Sequence, residues 1–275
     1  MRKDSFKLVR FAQTLKLDIV GNAKTYAFQL LVLYGLLFIG LLIIMLDEMK
    51  PDQSFDMISM MFALWTTFVG VCGGIFYASL LMKPFSRKQA RLSYLMLPAS
   101  NLEKFLSRAL IVTVGFWAIM IIALLGISAT YYLLAVAFGY ESQSYGFLFA
   151  DVIGRWMSYR GDSGFLSVRV QQAYMFAQFA VLFCAHALFV VSSCLWRRHA
   201  FAKMLGCLIV FNFVVSWIVP RITSLFPINL NIDALSIGEV NEMRIIMLFL
   251  FGCLNVVVGL LFWWGSYRLF TRAHV

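Results

Sequence analysis

Two serine-centred spacings stand out as residues that could do chemistry: Ser86 with Gln89, and Ser100 with Glu103. A serine followed three residues later by Gln or Glu can cap a helix reciprocally, each side chain bonding the other's backbone N–H. Both pairs lie in one polar segment, Lys83 to Arg108, with Pro98 between them. A helix has to stop or turn just before a proline. The segment reads as a helix over 87–96, a tight turn at 97–99 and a second helix, capped at Ser100, that runs on into the membrane. Arg87, Lys88, Arg91, Lys104 and Arg108 supply charge, while Leu92, Tyr94, Leu95, Met96, Leu97 and Phe105 supply apolar surface. Apolar and aromatic anchors usually carry the energy of a protein interface. The candidate docking residues are therefore Arg87, Lys88, Arg91, Tyr94, Leu95, Leu97, Pro98, Ser100 and Glu103. The plainer reading is a topogenic loop packed on its own bundle and on lipid headgroups.

The rest of the chain offers little catalytic chemistry. No glycine is followed by lysine, so a Walker-type phosphate loop is missing, and neither HExxH nor GxSxG occurs. Of His186, His199 and His274, only His186 lies within an apolar run, where it reads as a hydrogen-bonded packing residue. Cys72, Cys184, Cys194, Cys207 and Cys253 all fall in apolar runs without zinc-type spacing, and read as small buried hydrophobes. No cofactor, metal or catalytic residue is expected, and any ATP hydrolysis belongs to a partner.

These residues are positioned by six long apolar runs at roughly 25–46, 57–82, 109–139, 171–196, 204–220 and 245–267, none containing Asp, Glu, Lys or Arg. One charge at the centre of a spanning helix costs about 2.5–3.5 kcal/mol. About 20 residues suffice to cross a hydrocarbon core. The expected fold is all-α: a polytopic membrane protein with six transmembrane helices and an N-terminal interfacial helix, forming a single transmembrane domain over 1–275. No cleavable signal peptide is apparent; the first run reads as a retained helix. The absence of intramembrane carboxylates argues against a self-contained ion-coupled carrier.

The net charge of +10 is sorted by side. Segments 1–24, 83–108, 197–203 and 268–275 hold 17 of the 23 basic residues but three acids, a net +14; the other side carries −4. The positive-inside rule then places both termini in the cytoplasm of an inner (plasma) membrane. The basic charge faces anionic lipid and cytoplasmic partners, not nucleic acid. In the leader, Lys3, Lys7, Arg10, Thr14 and Asp18 share a stripe opposite Leu8, Phe11, Ala12, Leu15 and Ile19. The leader is expected to lie at the headgroups with Lys3, Lys7 and Arg10 toward anionic lipid. Gly70, Gly73 and Gly74 offer a close helix–helix approach. Phe147, Phe149, Trp156 and Tyr159, in the long outer segment 140–170, read as interfacial anchors. The fifth run ends at Pro220; the apolar stretch that follows, within 221–244, reads either as a dip into the outer leaflet or as an ordinary anchored loop.

The stretch from Tyr94 to Leu106, YLMLPASNLEKFL, resembles one found between the second and third spans of bacterial ABC-transporter permeases of the exporter (type 2) class. The closing Tyr267-Arg268-Leu269-Phe270 is similar to theirs, as is the layout of leader, six spans and two inside termini. The resemblance implies a permease that docks a separate cytoplasmic ABC ATPase through the segment after its second span. It further implies a second permease copy, or a related permease, completing the pathway. The main alternative is a non-transporting membrane scaffold whose segment binds another partner. An intramembrane enzyme would need a cluster of carboxylates, histidines or serines at one level, and none stands out.

Overall fold

The computed structural model of the chain describes residues 6–47, 55–83, 96–137, 147–157, 168–196, 199–225 and 237–272. These form α1 (Leu8–Gly21), α2 (Ala23–Asp47), α3 (Phe55–Ala78), α4 (Asn101–Leu110), a π-helical turn (Ile111–Gly115), α5 (Phe116–Ala137), α6 (Leu148–Met157), α7 (Val168–Leu195), α8 (Ala200–Leu225) and α9 (Ile237–Arg272). The described residues contain no strand. Among the described residues six helices are long and apolar enough to cross a membrane: α2, α3, α4 continued through α5, α7, α8 and α9. In lipid every backbone N–H and C=O must be satisfied internally, and helices achieve this. The chain is an all-α, multi-pass membrane protein.

The chain divides into two compact units, one holding α1 to α6 and the other α7 to α9. Between helices in lipid the gain comes from close packing and hydrogen bonds, since lipid is as apolar as the side chains. In the first unit α2 contributes the stripe Leu33, Leu37, Leu41 and Met45, four residues apart and so on one face. It packs with Ile58 and Phe62 of α3, Met120, Leu124 and Ile127 of α5, and Leu148 and Val152 of α6. Glycines seat aromatic rings at each contact. Trp65 lies over Gly40 and donates its indole N–H to the Leu36 carbonyl at 3.2 Å. Gly70 faces Met120 and Trp117, while Gly73 and Gly74 face Phe116. The α3 glycines are thus filled by α5 of the same chain. Tyr34 covers Gly126 and shares a 2.6 Å hydroxyl bond with Thr130.

The third apolar run is the later part of the helix that the Ser100–Glu103 cap starts. Its helix starts at Asn101 and continues unbroken to Ala137 through the π-helical turn. That turn is Ile-Val-Thr-Val-Gly, and the Thr113 hydroxyl donates to the Ala109 and Leu110 carbonyls at 2.8 and 3.4 Å. A π-turn disturbs the i→i−4 ladder, and a Thr hydroxyl can meet carbonyls of the preceding turn.

In the second unit α7 and α9 run in the same direction. Phe176 sits on Gly252 and Phe183 on Gly259, seven residues further along both helices. That repeat keeps one face of each helix on the other along their length. His186 stacks on Trp263 with ring centroids 5.9 Å apart. The turn into α8 places His199 at φ 56, a left-handed conformation a non-glycine residue adopts rarely. α8 does not end at Pro220 but passes through it to Leu225. Residues 226–236, the centre of the expected dip, lie outside the described residues.

Candidate docking region and its latch

The chain enters α4 through a turn at 96–99, with the Ala99 N–H on the Leu97 carbonyl at 2.8 Å. Ser100 is the N-cap, in extended backbone. Its hydroxyl accepts the Glu103 N–H at 3.2 Å, and Glu103 Oε2 accepts the Ser100 N–H at 2.8 Å. The reciprocal cap read from the sequence is therefore formed.

Glu103 does more than cap. Its other oxygen accepts the backbone N–H of Lys7 at 2.7 Å and a guanidinium N–H of Arg10 at 3.2 Å. Lys7 is the N-cap of α1 and has no side-chain cap bond of its own. One carboxylate thus satisfies the starts of two helices, reaching a backbone N–H 96 residues away in sequence. Its side chain is 0% exposed, a burial that only full hydrogen bonding makes tolerable. Farther along both helices, Arg108 reaches Asp18 at 2.7 Å, each side chain 9% exposed. α1 carries plus then minus, and α4 carries minus then plus, so the helices lie side by side with a register set by charge. Burial raises the Asp18 carboxyl above its ordinary value, and the Arg108 charge pulls it partly back.

This latch corrects three expectations. The stripe Arg10, Thr14 and Asp18 does not face headgroups: Thr14 and Asp18 are buried, and Arg10 is engaged by Glu103. Instead α1 exposes Leu8, Val9, Leu17 and Val20. Glu103 faces inward and is fully buried, so it offers no surface for the docking contact expected of it. Lys104, Phe105 and Arg108 are likewise buried and supply no docking surface. What α4 and its turn expose near their start is mostly apolar, Met96, Pro98, Leu102 and Leu106 beside the polar Asn101, with Leu97 and Ser100 half-buried. Leu102 and Leu106, absent from the sequence-derived docking set, are one helical turn apart on the face away from α1. Their i, i+4 spacing was the available signal. Arg87, Lys88, Arg91, Tyr94 and Leu95 lie outside the described residues, as does Lys3. Lys7 is exposed.

At the other end of the spans of this unit, α6 makes a second polar knot. Arg155 bonds Asp151 at 2.7 Å and the Ser59 hydroxyl at 2.9 Å, and comes within 3.5 Å of the Asp56 carboxylate. Burial works against the Asp151 charge, but bonds from Ser59 and Arg155, with the Arg155 charge, outweigh it and hold the carboxyl below its ordinary value. The neighbouring Trp156 donates to the Thr67 hydroxyl at 2.8 Å and packs edge-on to Trp117. Thr67 is twelve residues beyond Phe55, so it lies about 18 Å along α3. α6 therefore lies against the first half of a spanning helix, and Trp156 is not an anchor at the bundle's rim. Leu148 and Val152, fully buried four residues apart, carried this signal in the sequence.

Among the described residues no group of three or more His, Cys, Asp or Glu is placed to hold a metal. The two knots are fixed ion pairs, suited to holding helices in register.

Fold and site together define a class, a multi-pass helical membrane protein whose short amphipathic helices are latched to its spans. No family model, curated protein or solved structure matches the chain.

Proposed function

We propose that the chain is the membrane-spanning permease subunit of an ATP-driven transporter of the ABC type, working as an exporter. It supplies the pathway wall and the docking surface, and a separate cytoplasmic ATPase supplies the energy. Both termini and the 83–108 segment face the cytoplasm of an inner membrane, in accord with the charge asymmetry. A second copy or a related permease completes the pathway.

The observation that carries this reading is the mechanical continuity of α4. An exposed apolar turn leads through a capped helix directly into a spanning helix, with α1 clamped alongside by two ion pairs. A force applied at Met96–Leu106 acts on the third span without an intervening loop. Rocking of packed helices is a recurrent way of alternating access.

The test is co-purification of the tagged chain from its native membrane. An ATPase is expected to come with the wild type and to be lost from the Tyr94→Asp, Leu97→Asp double variant, with membrane insertion unchanged. Recovery of partners without ATPase activity would favour the scaffold reading. ATP hydrolysis that follows this polypeptide free of any partner would sink the permease reading.

A further inference from the structure

The fifth span has a polar group where lipid cannot serve it. α8 meets α7 near its start, where Phe201 lies 5.5 Å from Phe189, and none of its apolar window is buried. Asn212 stands near the middle of this span, Ala200–Arg221, and is exposed. The Ser216 hydroxyl donates to Asn212 Oδ1 at 3.3 Å, and the carboxamide N–H groups make no hydrogen bond to any described residue. In hydrocarbon such donors draw a partner from another helix.

The surroundings of Asn212 say which partner. Leu205, Asn212 and Val219 recur every seven residues, with Leu208 and Val215 in the intervening positions. This is a heptad seam with apolar residues at a and d and one asparagine at a central a position. Pro220, which cannot give the Ser216 carbonyl the usual i+4 donor, stands just beyond the seam. Trp217 lies on the opposite face with Val210 and Val214, and Arg221 reaches back over its ring in a cation–π contact of 3.8 Å.

We infer that the α8 seam pairs with the α8 seam of a second copy of this chain, with Asn212 bonding Asn212 across a twofold axis. Copies inserted with the same topology present their α8 helices in parallel. A parallel pair sets a against a, so the two carboxamides meet. A carboxamide is both donor and acceptor and thus complements itself. A lone a-position asparagine is also known to fix register and copy number. The inference deepens the two-copy part of the proposed function but stands on α8 chemistry, independent of any ATPase.

The test is a cysteine scan in native membranes. The five native cysteines are replaced, and single cysteines are placed at 205, 208, 212, 215 and 219, and at 210, 214 and 217. Oxidation with copper phenanthroline is expected to give a band of twice the chain's mass for the first set and not the second. In the 208 background, Asn212→Leu should cut that yield about tenfold and Asn212→Gln should preserve it. Monomer alone at every seam position, as lipid or an intrachain cover would give, overturns the inference. So does equal crosslinking on both faces, a band of unequal partners, or an unchanged yield in Asn212→Leu. A wild-type pull-down that brings no ATPase, with the seam crosslinks intact, would remove the transporter reading and leave this one standing.

Discussion

Glu103 shows how one side chain can serve two helices, and its replacement separates the two duties. Ser100→Ala removes only the hydroxyl acceptor of the cap and should cost about 0.5–2 kcal/mol. Glu103→Ala removes both the cap and the tie to α1, leaving Arg10 and the Lys7 N–H without their carboxylate; about 3 kcal/mol is expected. Thermal unfolding of the detergent-solubilised chain reads both, and equal losses would show that Glu103 is merely a cap. The cap was legible in the sequence because it is local, a spacing of three residues. The tie was not, because its partners are 96 and 93 residues away and a single sequence carries no sign of their meeting. Asp18 and Asp151 respond to acid in opposite senses. Asp18 has a raised pKa, so the native state holds its proton more readily than the unfolded chain, and stability falls as pH rises from about 3.8 through the raised value. Acid therefore does not weaken the chain through Asp18. Asp151 has a lowered pKa: its contribution is present above the ordinary value of 3.8 and is lost as pH falls through the native value. Asp151→Asn should lower the unfolding temperature at pH 7 by the equivalent of about 1 kcal/mol and flatten the acid limb. Asp18→Asn should leave that limb at least as steep as in the wild type; a flattened limb in Asp18→Asn and not in Asp151→Asn would reverse the assignment.

At the scale of elements, the π-turn sets which face α4 shows to α1. It accommodates one residue more than a regular helix would, so removing one restores the α register and rotates α4 about 100° against α5. Val114 is exposed, which makes it the residue to delete. Deletion should turn Glu103 and Arg108 off α1 and destabilise the chain about as much as Glu103→Ala. The two changes should then be non-additive, since the second removes a contact the first has already lost. Full additivity of the unfolding free energies would mean that the turn does not set the latch. The helices themselves were legible where hydrophobicity is unbroken, and their ends less so. The third span starts at Asn101 because the cap and the α1 contact extend it past its apolar part. α8 continues past Pro220 because a proline removes a donor and crowds one turn without forbidding the next. α6 was hidden by the polarity of the segment around it. Its ten residues are amphipathic, and Arg155 and Asp151 pair with each other and with the start of α3, so its charges are compatible with lying against a spanning helix.

For the molecule as a whole, the sequence carries two signals of different reach. The absence of charge over six runs reports on the solvent of each helix, which is why the membrane class was legible without any knowledge of contacts. The asymmetry of charge between the runs reports on insertion, and it makes the orientation testable. Lys83, Met96 and Arg272 fall in segments expected on the side with net +14, and Asp56 and Phe147 in segments expected on the side with net −4. All five positions are exposed. In a cysteine-free background, single cysteines at 56 and 147 are expected to react with an impermeant thiol reagent added to intact cells. Cysteines at 83, 96 and 272 should react only after the membrane is opened. Adding lysines at the acidic end should erode this orientation, because the Lys and Arg balance sets it and the acids contribute little. Labelling of positions 83 and 96 in intact cells would place the candidate docking region outside. A docked cytoplasmic ATPase would then be impossible, whatever the geometry of α4.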